Sequence, residues 1–171
     1  MADFHLTRLC AAPPATVWDV VTDFAAYGAV MPLTRMRLDA GTPSPGWGFA
    51  GISGLGRLAF SDSMLVTAWA PPGDDRRGTF RIVKTGRLLG GWAEVRVEPE
   101  AAGSRLDWHE DVVVKPLPFK RLFAPLLRRA SDWLYGRAVD AMVARAEERA
   151  RAEARTPADE RAGAGDTDPA P

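Results

Sequence analysis

The stretch Leu106-Asp107-Trp108-His109-Glu110-Asp111 places one of the chain's two histidines among three carboxylates and a tryptophan. These residue types move protons and ligate metals. Whether they converge depends on the element that carries them. Arg105 to Val114 reads as a strand, and successive side chains of a strand alternate between faces. Leu106, Trp108, Glu110 and Val112 then share one face, and Asp107, His109 and Asp111 share the other. The apolar set faces the core, so His109 is expected as an exposed, titrating surface histidine between two outward aspartates. One histidine and two carboxylates in a line do not converge on an ion, and no metal site is expected.

Glu110 is the residue that stands out. It is a carboxylate in phase with Leu106, Trp108 and Val112, and a charge on an inner face costs several kcal/mol unless paired or solvated. Either the strand has reached an open end of the sheet where water enters, or Glu110 is a polar anchor inside. A partner exists in the run Gly78 to Thr85, where Lys84 shares the phase of Phe80 and Ile82. Lys84 is one of three lysines in the chain. It reads either as an exposed strand end or as a second inner polar group. Glu110 and Lys84 are the candidate acid–base residues.

The elements that must position these groups follow from periodicity and punctuation. Phe4 to Cys10 alternates as a half-buried strand until Pro13-Pro14 stops it. Pro14 suits a helix start, and Val17, Trp18, Val20, Val21 and Phe24 recur at helical spacing. A short second helix, Ala25 to Val30, follows. Strands are predicted at Thr34 to Asp39, Gly48 to Ser53, Ser61 to Trp69, Gly78 to Thr85, Gly91 to Val97 and Arg105 to Val114, joined by Gly- and Pro-rich links as in an antiparallel meander. One long helix is predicted from Phe119 to Ala150, with an apolar stripe of Leu122, Leu126, Ala130, Trp133, Leu134, Ala141 and Met142. Pro125 falls within it and marks either a later start or a kinked first turn. Residues from 151 to 171 hold no apolar side chain larger than alanine and are expected to be a disordered tail.

Composition narrows the classes. At 171 residues, with 22 basic and 22 acidic side chains, the chain is one domain with no global field for nucleic acid. Its single cysteine, Cys10, allows no internal disulfide and reads as a small strand residue. There is no signal-peptide pattern and no apolar run of membrane-spanning length, so a cytoplasmic protein is expected. The glycine-punctuated Gly54 to Phe60 lacks the Gly-Lys-Ser/Thr ending of a P-loop and is expected as a loop with the flexibility of a lid.

Three stretches together resemble the SRPBCC superfamily, the START-like group that includes polyketide cyclases and lipid carriers. The first is Ala12-Pro13-Pro14-Ala15-Thr16-Val17-Trp18-Asp19-Val20-Val21-Thr22-Asp23-Phe24, followed by Tyr27 and Met31-Pro32. The second runs from Ser61-Asp62-Ser63-Met64 to Trp69-Ala70-Pro71-Pro72, and the third is the Leu106 to Asp111 stretch before the long helix. The resemblance covers residues 2–150 and implies an α+β helix-grip fold: a curved antiparallel sheet of about seven strands around a long C-terminal helix, with two short helices after the first strand.

Such a fold implies a cavity between sheet and helix that takes an apolar small molecule. On that reading Met64, Val66, Phe80, Ile82, Lys84, Val95, Trp108, Glu110, Leu126 and Trp133 line it, and Lys84 and Glu110 orient the ligand's polar end. The expected function is binding or transport of a lipid or polyketide-like molecule, without a cofactor. The alternative is a polyketide cyclase, aromatase or dehydratase using Glu110 and Lys84. A third reading is an interaction protein whose cavity is filled by Trp108 and Trp133. The chain is expected as a monomer or homodimer. Arg87-Leu88-Leu89 and Lys115-Pro116-Leu117-Pro118-Phe119-Lys120-Arg121-Leu122-Phe123 mix bulky apolar residues with bases, which suits weak peripheral contact with an anionic membrane.

Overall fold

The structure is a computed structural model that describes residues 2–31, 33–56, 59–73, 76–115 and 120–163, and their side chains except those of 2–3, 30, 120–132 and 156–163. The chain opens with strand β1 (Ala2–Cys10) and helix α1 (Pro14–Val21). Pro14 sits in the first turn of α1, where its missing N–H has no partner to lose. The Thr22 hydroxyl donates to the Trp18 carbonyl at 2.7 Å, and the helix stops there. The predicted continuation to Phe24 is instead a separate 3₁₀ turn, Phe24–Ala26, because the Asp23 carboxylate accepts from the Ala26 N–H and starts a new element. Helix α2 (Tyr27–Val30) follows directly.

Six more strands complete the sheet: β2 (Thr34–Leu38), β3 (Gly48–Ser53), β4 (Phe60–Ala70), β5 (Gly78–Lys84), β6 (Leu89–Glu100) and β7 (Gly103–Val114). They pair antiparallel in the order β1-β7-β6-β5-β4-β3-β2. The result is the expected helix grip, an open curved seven-stranded sheet with a C-terminal helix and short helices after the first strand. The β6–β7 turn is tighter than Pro99 to Ser104. It closes at Gly103, whose positive φ of 136° places a would-be Cβ 2.2 Å from the Cys10 carbonyl oxygen, so only glycine fits.

Register sets the inner face. One row across the sheet runs Leu6, Trp108, Val95, Phe80, Trp69, and the next runs Phe4, Glu110, Ala93, Ile82, Val66. Under the first row, α1 and the 3₁₀ turn deliver Trp18 and Phe24 to Trp47, Phe49, Trp69 and Phe80, with ring centroids 4.3–6.2 Å apart. Each such ring removes a large apolar area from water, worth about 1.5–3 kcal/mol.

Helix α3 (Lys120–Gly163) crosses this face and packs on α1 and β1. Its helical backbone starts before Pro125 and continues past Ala150, so the expected tail boundary at 151 falls inside the helix. The described apolar stripe is Ala138, Val139, Met142 and Ala146, in line with Tyr135. Met142 is buried as predicted, whereas Ala141 is exposed and Trp133 is 63% exposed under the Arg137 guanidinium, 5.1 Å away, which corrects the predicted stripe at those two positions. The inward positions 135, 139, 142 and 146 keep three- and four-residue steps throughout. Surface ion pairs tie α3 down, among them Arg8–Asp140 at 2.7 Å, Arg145–Asp23 at 3.2 Å and Arg149–Asp19 at 3.2 Å. Among the described residues, no helix is long and apolar enough to cross a membrane.

Candidate functional site

The alternation predicted for Leu106 to Asp111 holds. Leu106, Trp108 and Glu110 are buried at 0%, 7% and 2% exposure, and Asp107, His109 and Asp111 occupy the outer face. His109 departs from the expectation of a freely exposed histidine. It is half-buried, 4.6 Å from the Trp92 ring and 5.4 Å from His5, its cross-strand neighbour. Trp92, which pairs with Asp111 on the outer face of β6 and β7, accounts for this. A depression of about 300 Å³ lies over His5, Glu94, Arg96, Asp107 and His109. Among the described residues no group of three or more His, Cys, Asp or Glu is placed to hold a metal ion.

The inner face holds a charged cluster. Lys84 ends β5 and Glu110 lies two strands away on β7, a separation of roughly 9–10 Å between strand axes. The intervening β6 presents Gly91 opposite Lys84 and Ala93 opposite Glu110. These small residues let the long lysine reach across, and Lys84 Nζ sits 3.2 Å from Glu110 Oε1. Gly91 is obligatory: at φ 117° a side chain there would meet the Asp111 carbonyl oxygen at 1.8 Å. From the other side Asp62 on β4 accepts from Lys84 Nζ at 2.8 Å, and Met64 places its sulfur 4.0 Å from the same atom.

Glu110 is further held by its neighbours. The Trp108 indole donates to Glu110 Oε2 at 3.2 Å, and Tyr135 on α3 lies near enough for its phenol to feel the charge of the same carboxylate. Burial pulls the Lys84 ammonium toward neutrality, but the charges of Glu110, Tyr135 and Asp62 outweigh it and push its pKa up. Lys84 therefore keeps its proton and acts as a cationic donor, not as a base. Burial, then the Glu110 charge, raises the Tyr135 and Tyr27 phenols well above their ordinary value. Tyr27 spends its proton on the Val21 carbonyl at 2.5 Å.

Asp62 and Glu110 put two carboxylates against one ammonium. Glu110 is supplied with donors, whereas Asp62 Oδ1 is buried with no hydrogen-bond partner. A buried acceptor left empty is costly, and such orphans mark places where a further group belongs. The arrangement can receive one more hydrogen-bond donor beside Lys84.

The sequence-predicted residues divide accordingly. Lys84 and Glu110 meet directly, with Met64, Ile82 and Trp108 around them on the same face. Val66, Phe80 and Val95 share the face but are packed into the core at 0%, 1% and 0% exposure. Trp133 is removed from the set by its exposure, which also removes it as a plug for a collapsed cavity. The Leu126 side chain lies outside the described residues. So do residues 57–58 of the glycine loop and the approach 116–119. Sequence reasoning missed Asp62, Tyr135 and Tyr27. Asp62 had a signal, since it shares the phase of Met64 and Val66, the test applied to Lys84.

Comparison with known proteins follows the geometry. The chain resembles the Zhui aromatase/cyclase from a Streptomyces species at 17% identity and TM-score 0.65, over 86% of this chain and 94% of that one. It resembles a START superfamily protein from Mycobacterium smegmatis at 19% identity and TM-score 0.56, over 87% and 97%. It also resembles a norcoclaurine synthase from Thalictrum flavum at 15% identity and TM-score 0.55, over 84% and 94%. These likenesses are of fold. Among curated proteins, none matches the chain in sequence. The family model described as polyketide cyclase / dehydrase and lipid transport matches residues 1–147, and the chain belongs to that family.

Proposed function

We propose that the chain binds an apolar small molecule between the sheet and α3, with the molecule's hydrogen-bond-donating end at Asp62, Lys84 and Glu110. The orphaned Asp62 carboxylate oxygen, beside an ion cluster on an otherwise apolar face, carries this reading. Apolar pockets gain orientation from a few placed polar groups. Two carboxylates beside one ammonium favour a ligand hydroxyl or ammonium over a ligand carboxylate, which like-charge repulsion disfavours.

The membership in a family described by both cyclisation and lipid transport supports a bound ligand of lipid or polyketide type. Catalysis is the second reading, and the protonated Lys84 beside Glu110 favours it, because a fixed cationic donor can polarise a ligand carbonyl held there.

Native mass spectrometry followed by solvent extraction tests the proposal. A retained apolar molecule, released by Asp62→Asn or Glu110→Gln, is the expected result. Thermal shifts should be larger for long-chain amines and alcohols than for the matching carboxylic acids. No retained molecule, and no shift with any of the three, overturns the binding reading. Turnover lost in Glu110→Gln with binding kept selects the enzyme over the carrier.

A further inference from the structure

Several large apolar side chains are exposed, and most of them cluster at one end of the sheet. In this antiparallel order, the start of β2, the β3–β4 link, the β5–β6 turn and the end of β7 all lie at that end. Leu33, Leu55, Phe60 and Leu88 are exposed there at 65%, 69%, 37% and 47%. Trp133 sits two residues before Tyr135, whose ring tilts against Phe4 near the start of β1, so it belongs to the same end.

These tips are built, not loose. The Gly54 N–H donates to the Leu33 carbonyl at 3.0 Å, which joins the Leu33 and Leu55 segments, and Thr34 Oγ1 and Ser53 Oγ lie 2.8 Å apart beside it. Lys115 clamps the β5–β6 turn: its N–H donates to the Leu88 carbonyl at 2.8 Å and its Nζ to the Gly86 carbonyl at 3.0 Å. Leu33 has φ 55°, the only described non-glycine residue in the left-handed region, which disfavours a leucine. A strained, solvent-facing leucine makes no sense for stability alone.

Bases gather at this end: Arg35 and Arg37 lie on β2, Arg87 in the β5–β6 turn and Lys115 directly after β7, in a chain whose charges balance overall. Arg35, Arg37 and Arg87 are exposed, and Asp62, the nearest carboxylate to the 54–60 stretch, is turned inward onto Lys84. Apolar tips ringed by bases match the two layers of an anionic bilayer, acyl chains below and phosphates above.

We infer that this end of the sheet, formed by Leu33, Leu55, Phe60 and Leu88 with Arg35, Arg37 and Arg87, docks onto an anionic lipid bilayer. The inference stands on exposed residues alone and does not depend on what the inner cluster binds. The contact is peripheral and reversible, since a few side chains insert and none spans.

Co-sedimentation of the full chain tests it, with vesicles of phosphatidylcholine alone and of phosphatidylcholine with phosphatidylserine. Binding is expected only to the second, weakening as salt rises. Arg35→Glu with Arg87→Glu should weaken it by at least ten-fold, at about five-fold per removed base. Leu33→Asn with Leu55→Ser should abolish it while leaving the melting temperature unchanged, because asparagine tolerates the left-handed conformation at 33. Absence of binding to the anionic vesicles at low salt overturns the inference. So does equal binding to soluble heparin that the leucine variants leave intact, which identifies a polyanion site instead.

Discussion

The inner sheet face has two halves that are filled differently. Under α1, Trp18, Phe24, Trp47, Phe49, Trp69 and Phe80 interlock ring against ring, with Tyr27 against Phe24 at their edge and no charged side chain among them. Toward the ends of β5 and β7, Lys84, Asp62, Glu110 and Tyr135 form a polar cluster over the small residues Gly91 and Ala93. The first half is stabilised by burial and close packing. The second gains little net stability, because the desolvation of its charges offsets their attraction. A polar cluster maintained at such expense is the place to look for function, and the aromatic half is the frame that holds it.

The sharpest way to break this contrast is to damage each half separately. Phe80→Ala removes a ring that packs on Trp18, Phe24 and Trp69, and should lose about 3–5 kcal/mol in urea denaturation. The ligand released on solvent extraction should be the same molecule as from the unaltered chain. A loss below about 1 kcal/mol would show that the aromatic half is not the frame.

Lys84→Met should cost nearly as much, about 3–5 kcal/mol, for a different reason: it leaves Glu110 and Asp62 buried without a cation. Replacing all three together, as Lys84→Met with Asp62→Leu and Glu110→Leu, should recover most of that stability while abolishing ligand retention. No such recovery is available at Phe80. If the triple variant is no more stable than the single one, the cluster is structural and the contrast between the halves fails.

Alkaline pH probes the polar cluster together with Tyr27, which packs on Phe24 at the edge of the aromatic half. Lys84, Tyr135 and Tyr27 all have folded pKa values raised above their unfolded ones, so the folded chain holds these protons longer. Their contribution is fully present below the unfolded values of about 10 and is lost as pH rises through the raised ones. Stability should therefore be flat from neutral pH to about 9 and fall steeply above about 10. Both tyrosines of the chain are involved, so tyrosinate absorbance should appear in one step together with the loss of circular dichroism. A tyrosinate signal developing in the folded protein at the ordinary pKa would contradict the buried cluster.

How much of this was legible in the sequence differs between strand and helix. Alternation placed Glu110 and Lys84 on the inner face, because a period of two leaves only two choices and the apolar neighbours decide between them. That Lys84 reaches Glu110 was not legible, since it depends on Gly91 and Ala93 lying between them in a register set by the β5–β6 turn. Asp62 was legible in principle, since it shares the phase of Met64 and Val66 on β4. Tyr135 lies off the predicted stripe that ran through Trp133, because on a helix a phase difference of two residues turns a side chain through most of a half-circle.

Trp133 gives the smallest effect and a direct test of that helix phase. Its ring is 63% exposed and meets Arg137 one turn on. An exposed residue with one cation–π partner contributes about 0.5–1 kcal/mol at most. Trp133→Ala should therefore shift the urea midpoint only slightly and leave ligand retention intact, whereas Tyr135→Phe should lower retention by removing the hydroxyl from Glu110. If Trp133→Ala instead loses the 3–5 kcal/mol typical of a buried tryptophan, α3 presents its other face to the sheet. The polar cluster would then lack Tyr135, and Glu110 would answer to Lys84 and Trp108 alone.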